Sequence, residues 1–376
     1  MEGTFIATAA FGLEGLAARE LGRMGLNAKA ENGGARFICE MDRALDVNLR
    51  LRCADRVLLV LGERTVTTFE ELFQAVRSVA WEQLLSRDAA LPVSGKCVRS
   101  QLMSVRDCQA VAKKAIVSRL QDKWRVDRLP ETGAPYPIDI AIVKDQLRVT
   151  LDFSGEALSR RGYRTWNGEA PIRETLAAAI VELSPFRPGM PVYDPCCGTG
   201  TLLIEAAMRA THRAPGVKRS FACERFRFMD AEAMRADRDK AAEEEDTAMP
   251  LSISGSDIDP EAVDLSHRHI VQAGYADRIF THVQDLKDVQ LCEEGGVFLC
   301  NPPYGERLSD RDGCHALYRE MGLLLRRHPT WSLAAISADP AFERFFGRRA
   351  AQKRRLYNGR LECDLFMYPV AKSPAR

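Results

Sequence analysis

The sequence predicts an α/β protein, with a Rossmann-like sheet from about residue 156 onward and smaller α+β modules before it. Three observations carry that expectation. The apolar run 296–300 reads as a buried strand, and Asn301-Pro302-Pro303-Tyr304 follows at its carboxyl end, where open α/β sheets bind ligands. Upstream, residues 190–207 read as strand, glycine turn and helix. Between them, 251–257 and 279–283 read as two further strands that lead into Asp257 and Asp285.

In chain order, residues 5–8 form a short strand and 13–24 have helical spacing. Residues 35–40 form a strand, 41–51 a helix and 56–63 a strand, which suggests a small ferredoxin-like α+β sandwich over 1–60. A helix is expected over 68–85 and strands near 91–94. Asp107 is the expected N-cap of the next helix, with Val111, Ala115 and Leu120 on its apolar side. Strands 138–143 and 146–152 meet at a Lys144-Asp145 hairpin. Strands 331–337 and 361–367 complete the C-terminal sheet, and the acidic run 243–246 reads as a solvated loop.

In the glycine turn, Gly198 and Gly200 let backbone approach a ligand closely. Asp194, at the strand end, suits a ligand ammonium group. No Lys-Ser/Thr follows the glycines, so this is not a phosphate-binding loop. Leu203 stands where a nicotinamide fingerprint needs its third glycine. Asp257 is placed to take both hydroxyls of a ribose, with Ile258 against an adenine. Pro260 fits a first helical turn, which also makes Asp259 a good N-cap. Asp285 could accept from an adenine amino group or cap a turn.

The tetrapeptide has a chemical logic. An exocyclic base nitrogen is a poor nucleophile because its lone pair is delocalised into the ring. The Asn301 and Pro302 carbonyls can accept hydrogen bonds from such an amine, favour a pyramidal nitrogen and free the lone pair. Pro302 and Pro303 stiffen the backbone that aims these acceptors. Tyr304 offers a face for the base to stack on. The alternative is an Asn-Pro turn that merely closes a strand.

Composition limits the function classes. The chain has 376 residues, of which 46% are hydrophobic and 28% charged, as in an ordinary globular protein. No apolar run reaches membrane-span length, and the N-terminus lacks signal-peptide character. Eleven cysteines without CxxC spacing, and six scattered histidines, argue against zinc and a disulfide framework. The expectation is a cytoplasmic protein without a metal, whose Cys196 and Cys197 are small thiols beside the glycine turn. A cysteine-nucleophile reading of Pro195-Cys196 is disfavoured by its place in the glycine turn. Net charge is only +1, but positive charge is segregated over 96–128 and 344–360. Such patches suit phosphates and point to a nucleic-acid partner. Lys96, Arg99, Lys113, Lys114, Arg160, Arg161 and Arg164 are the candidate contacts, and Arg307 has either a phosphate or a surface role. Oligomeric state is not legible.

Taken together, these strand-end residues resemble the class I S-adenosylmethionine-dependent methyltransferases that act on exocyclic amines. Gly95-Lys96, Ser104–Ala110 and Lys113–Ile116 resemble a THUMP RNA-binding domain, and Leu158–Arg164 with Ala170–Ala179 resembles that family's entry into its catalytic domain. Over nearly the whole chain the sequence is similar to the bacterial 23S rRNA guanine-N2 methyltransferase family, in a form with one catalytic domain. The resemblance implies a ferredoxin-like domain over 1–60, a THUMP domain over 61–155 and a seven-stranded Rossmann-like methyltransferase domain over 156–376. It implies S-adenosylmethionine held by Asp194, Pro195, Cys197, Gly198, Thr199, Gly200, Asp257, Ile258 and Asp285. The catalytic set would be Asn301, Pro302, Pro303 and Tyr304, and the partner RNA, with rRNA before tRNA. An adenine-N6 methyltransferase and a non-catalytic RNA-binding assembly protein are the alternatives.

Overall fold

Phe5, Ile6 and Ala7 are all buried although successive side chains point to opposite faces, so both faces of their strand are covered, and the strand has a neighbour on each edge. Strands β1 (Glu2–Thr8), β2 (Ala28–Glu31), β3 (Gly34–Glu40) and β4 (Arg56–Thr65) lie in the order β2-β3-β1-β4, antiparallel throughout. This is the ferredoxin-like arrangement, with helical segments Glu14–Arg23 and Ala44–Arg50 between the strands. Strands β5 (Val93–Val98), β6 (Ile138–Val143) and β7 (Gln146–Asp152) extend the same sheet, because β7 pairs with β4. The result is one seven-stranded sheet, and β4 runs through residue 60 with a bulge between Val60 and Gly62. The computed structural model describes residues 1–164, 172–304 and 311–370; candidate Arg307 and residues 170–171 lie outside these.

Two local expectations are corrected. The helix expected over 68–85 is two helices, Phe69–Arg77 and Trp81–Leu84. Trp81 is fully buried and its indole N–H donates to the Val76 carbonyl at 2.8 Å, so a side chain replaces the helical bond there. The N-cap of Val105–Trp124 is Ser104 rather than Asp107: the Asp107 N–H donates to Ser104 Oγ at 3.4 Å. Asp107 sits in the first turn, where its charge suits the helix dipole. The Lys144-Asp145 hairpin is as expected, with φ of 52° and 62°.

The chain divides into two units that are each discontinuous in sequence. The first comprises Met1–Ala9, Ala17–Leu158 and Arg219–Ala241. In it Phe226 stacks on Tyr136 with ring centroids 4.6 Å apart and meets Phe153 edge-on, while the Arg227 N–H donates to Tyr136 Oη at 2.9 Å. The second comprises Ala10–Leu16, Ser159–Lys218 and Ala242–Arg376.

The second unit holds β8 (Val192–Asp194), β9 (Ile253–Asp257), β10 (Ile279–Val283), β11 (Gly296–Cys300), β12 (Trp331–Ser337), β13 (Gln352–Asn358) and β14 (Leu361–Tyr368). Their order is β10-β9-β8-β11-β12-β14-β13. The first five are parallel, and β14 is antiparallel to both neighbours. Every residue of β11 and β12 is buried, which fits their largely apolar sequence; of the two serines in β12, Ser332 donates its hydroxyl to the Gly296 carbonyl at 3.2 Å. Strand order reverses between β8 and β11, which opens a crevice at their carboxyl ends. The acidic run 243–246 is not simply solvated, since Glu245 pairs with Arg213 Nε at 2.8 Å. Among the described residues no helix is long and apolar enough to cross a membrane.

Candidate active site

Asp194 ends β8 and is almost completely buried. Its Oδ1 accepts from the Cys196 N–H at 3.0 Å. Burial, with Asp257 adding to it, pushes the Asp194 carboxyl well above the usual range. Asp257 ends β9 and both its oxygens accept backbone N–H groups: Oδ2 from Gly198 at 2.9 Å and Oδ1 from Asp259 at 3.1 Å. Gly198 has φ +48° and, among the described residues, no heavy atom within 4 Å of where a side-chain carbon would stand, so that face is open. Gly200, at φ +78°, caps the helix Thr201–Ala210; a side-chain carbon there would come within 2.5 Å of Ser266 Oγ. His269 Nδ1 lies 3.1 Å from the Thr199 carbonyl. Ile258, beside Asp257, is 68% exposed, an unusual place for an apolar side chain.

Other expected ligand residues face inward. Pro195 and Cys197 are buried, and the Cys197 N–H donates to the Ser256 carbonyl at 2.9 Å. Burial pushes the Cys197 thiol up, which disfavours a thiolate. Asp285 caps the short helix Leu286–Asp288 by accepting from the Lys287 N–H at 3.1 Å, and its other oxygen pairs with Lys287 Nζ. Asp259 likewise caps Pro260–Ala273.

Asn301 follows β11, which pairs with β8 through Val297–Val192 and Phe298–Tyr193. Burial, and the neighbouring Cys196 after it, raise the thiol of Cys300, the last residue of β11, so the glycine turn after β8 lies beside the end of β11. Tyr304 is not an open stacking face here. It is half-buried, burial raises its phenol, and its hydroxyl donates to Asn301 Oδ1. Pro302 is buried and Pro303 exposed. The Pro303 carbonyl accepts from Tyr318 Oη at 3.0 Å, and Tyr318 Oη also lies 3.4 Å from Ser337 Oγ at the end of β12.

The candidate cations separate. Lys96, Arg99, Lys114 and Arg160 are exposed. Lys113 pairs with Glu131 at 2.8 Å. Arg161 is corrected: its side chain is only 2% exposed and pairs with Glu205, so it cannot reach a phosphate. Arg164 is corrected too, because its Nη2 donates to Thr201 Oγ1 at 2.7 Å and to the Ile172 carbonyl at 2.9 Å. Tyr318 gave no signal in the sequence, where an aromatic at helical spacing reads as core.

An open glycine, a half-exposed carboxylate holding the turn, an exposed isoleucine and a buried carboxylate suited to a cation fit a nucleoside that carries an amino acid. The family profiles agree with that fit. The profile of the RMKL-like methyltransferase domain matches residues 161–366, that of the RlmL ferredoxin-like domain 4–58 and that of the THUMP domain 66–152. The chain belongs to the RMKL-like methyltransferase family. This RMKL-like protein is an S-adenosylmethionine-dependent RNA methyltransferase with a ferredoxin-like unit, a THUMP domain and a Rossmann-like class I catalytic fold.

YpsC of Bacillus subtilis (strain 168), provisionally named an RNA methyltransferase, is 38% identical over 375 residues, covering 99% of this chain and 97% of that protein. The ribosomal RNA large subunit methyltransferase K/L of Syntrophotalea carbinolica is 33% identical, with 98% of this chain but 54% of that protein covered. The RMKL-like chain thus spans about half the length of the K/L enzymes. The crystal structure of SMU.472, provisionally named a methyltransferase, in complex with SAH superposes with TM-score 0.95 at 39% identity, covering 99% of both chains. A Listeria monocytogenes structure described as an N6-adenine-specific DNA methylase superposes with TM-score 0.93 at 42% identity, covering 98% of this chain and 96% of that one.

Proposed function

We propose that this RNA methyltransferase acts on the exocyclic N2 amine of a guanosine in 23S ribosomal RNA. The observation that carries the reading is the Asn301-Pro302-Pro303-Tyr304 tetrapeptide at the carboxyl end of β11, beside the switch point, in a chain with two RNA-associated modules. The name of the K/L relatives supports ribosomal RNA.

Bound S-adenosylmethionine supplies an electrophilic methyl group on a sulfonium sulfur. Asp194 takes the ammonium of its amino-acid portion, Asp257 its ribose and Ile258 its adenine. Gly198, Thr199 and Gly200 form the turn beneath it, with Pro195 and Cys197 as buried supports and Asp285 at the adenine edge. Asn301 Oδ1 and the Pro302 carbonyl accept the two N–H groups of the target amine and orient its lone pair, while Pro303 stiffens the turn. Tyr304 holds the ring once its hydroxyl leaves Asn301. Catalysis is then mostly positioning of a base unstacked from RNA. The ferredoxin-like and THUMP modules, 1–60 and 61–155, recruit RNA through Lys96, Arg99 and Lys114, with Lys113 adding to the field and Arg160 at the entry to the 156–376 catalytic domain. Free thiols at all eleven cysteines support a cytoplasmic enzyme.

The test is nucleoside mass spectrometry of rRNA and tRNA from a deletion strain. Loss of one N2-methylguanosine from 23S rRNA is expected, restored by the wild-type gene and not by Asn301→Ala. Loss confined to tRNA, or loss of N6-methyladenine as the name of the Listeria relative suggests, would overturn the substrate reading.

A further inference from the structure

The basic run 344–360 divides in the structure. Lys353 pairs with Glu343 and Asp364, Arg355 pairs with Glu362, and Arg354 donates to the Gly12 carbonyl. Arg344, Arg348 and Arg349 are exposed and form no ion pair among the described residues. They lie on and after the short helix Phe342–Phe346, which packs on the helix Arg311–Arg327. The packing is close enough that a side-chain carbon at Gly322 would have no room against the Phe346 carbonyl oxygen. Beside this contact is a cavity of about 310 Å³. Buried Leu325, Trp331 and Phe346 form its floor, and exposed Arg326 and Arg348 stand on its rim. Phe346 is itself stacked on Phe342 and Tyr368, with centroids 5.5 and 4.3 Å apart, so the floor is preformed. The cavity is remote from the catalytic turn, because Trp331 opens β12 while Ser337, which meets Tyr318, closes it.

The helix Arg311–Arg327 joins the two places. At one end Tyr318 holds the Pro303 carbonyl. His315, Arg319, Gly322 and Arg326 follow at spacings of four, three and four residues, so they share one face over about 16 Å. Midway, Phe345 stacks on His315 at 3.7 Å, and the guanidinium groups of Arg319 and Arg344 stand 4.8 and 5.5 Å from its centroid. The nearby acids are engaged: Asp339 faces His315 at 3.1 Å, and Glu343 accepts from the Ala350 N–H at 2.8 Å as well as from Lys353. Cations interleaved with aromatic rings suit a single-stranded nucleic acid. An apolar floor with arginines at its rim suits a base with its phosphate beside it.

We propose that this face carries the RNA strand away from the methylated nucleotide, and that the cavity receives an unpaired base of that strand, with Arg326 and Arg348 on its phosphate. The inference rests on the chain's being an RNA methyltransferase and is independent of which base is methylated.

The full-length protein is tested on total RNA from a deletion strain, which offers rRNA and tRNA alike, by filter binding and by methyl transfer. Arg326→Glu combined with Arg348→Glu should weaken RNA binding and raise KM by at least about tenfold, the scale of one lost base stack. The kcat, S-adenosylhomocysteine affinity and melting temperature should stay near wild type. Arg326→Ala and Arg348→Ala should each flatten the log–log salt dependence of RNA binding by about 0.7 units, the single-strand value. Arg268→Glu, an exposed charge reversal on the helix Pro260–Ala273, should change KM little; an equal loss there would reduce the effect to net charge and overturn the proposal. Labelled oligouridylate and its duplex with oligoadenylate separate a base pocket from a phosphate patch. The double variant should weaken the single strand far more than the duplex, because a paired base cannot enter. Equal weakening of both, or unchanged RNA affinity and KM, would overturn the proposal. So would binding of free uridine or guanosine monophosphate that the double variant loses while it keeps RNA, which would make the cavity a mononucleotide site. If wild type transfers no methyl group to this RNA, the activity reading fails, and filter binding still decides the surface.

Discussion

With the Tyr304 hydroxyl donating to Asn301 Oδ1, the acceptor proposed for the target amine is already engaged. The substrate amine must compete with that hydroxyl for Asn301 Oδ1, sharing the oxygen's second lone pair or displacing the hydroxyl. Tyr304→Phe keeps the ring and removes the competitor, so single-turnover methyl transfer should be equal to or faster than wild type. Tyr304→Ala removes the ring and should slow transfer by roughly tenfold or more, on the scale of base–aromatic stacking. A slow Tyr304→Phe would mean that the hydroxyl itself takes part. Asp194 gives a pH prediction. Its carboxyl is raised by burial, so a proton competes with a ligand ammonium at low pH. S-Adenosylhomocysteine affinity should rise as pH climbs from the ordinary carboxyl value of 3.8 through the raised value, while affinity for 5′-methylthioadenosine, which keeps the nucleoside but lacks the amino acid, stays flat. Calorimetry across pH checks it; parallel profiles would separate Asp194 from the ammonium. Strand-end residues such as Asp194, Asp257 and Asn301 were legible because a strand's terminus shows in the local sequence. Arg161 and Arg164 were not, because their environment comes from acids and hydroxyls far along the chain. Glu205 is 44 residues from Arg161, and Thr201 is 37 from Arg164.

At the scale of elements, the turn after β11 contains two residues without N–H groups, so its backbone is anchored through carbonyls. Tyr318, on the helix Arg311–Arg327, supplies the donor for Pro303 and reaches Ser337 at the end of β12. Tyr318→Phe keeps the buried ring against Phe342 and deletes only the hydroxyl. Turnover should fall about tenfold, with S-adenosylhomocysteine affinity and melting temperature near wild type. A joint fall in all three would make it a packing residue. The helices Trp81–Leu84 and Val105–Trp124 are joined by Arg119 and Glu82, whose Nε and Oε2 are 2.7 Å apart. The Arg119 guanidinium lowers Glu82 from 4.5 to about 2. A lowered carboxyl contributes stability above its unfolded value and loses it as pH falls. The melting-temperature gap between wild type and Glu82→Gln should therefore shrink from pH 4.5 toward about 2. A gap independent of pH would show that the pair contributes through packing. Most strands were legible from apolar runs. The break at 78–80 was not, because it depends on Trp81 turning back to Val76.

For the whole molecule, the order of modules was legible through the family resemblance carried by Gly95-Lys96, Ser104–Ala110, Lys113–Ile116 and Leu158–Arg164. The exchange of segments was not. Nothing local marks residues 219–241 as part of the first unit or 10–16 as part of the second. A fragment starting at residue 156 would carry Phe226 without Tyr136 and Phe153, and would lack the Gly12 carbonyl that accepts from Arg354 at 2.7 Å. Size-exclusion chromatography should show it eluting as larger, more polydisperse species than the full chain at the same concentration. A monodisperse fragment that binds cofactor would show that these contacts are dispensable. RNA recruitment is better tested in the intact chain. Lys96→Ala and Arg99→Ala should each flatten the log–log salt dependence of RNA binding by about one unit. Unchanged slopes would exclude both from the contact.

The Tyr136–Arg227 hydrogen bond, separated by 91 residues of sequence, also sets a schedule for synthesis. A ribosome adding ~5–20 residues per second needs roughly 5–20 s to travel from one partner to the other. During that interval the nascent chain holds Tyr136 and Phe153 without the aromatic segment that covers them. The first half of the enzyme therefore finishes folding only after part of the second half has been translated, and a chaperone that shields aromatic surface would meet it in that window.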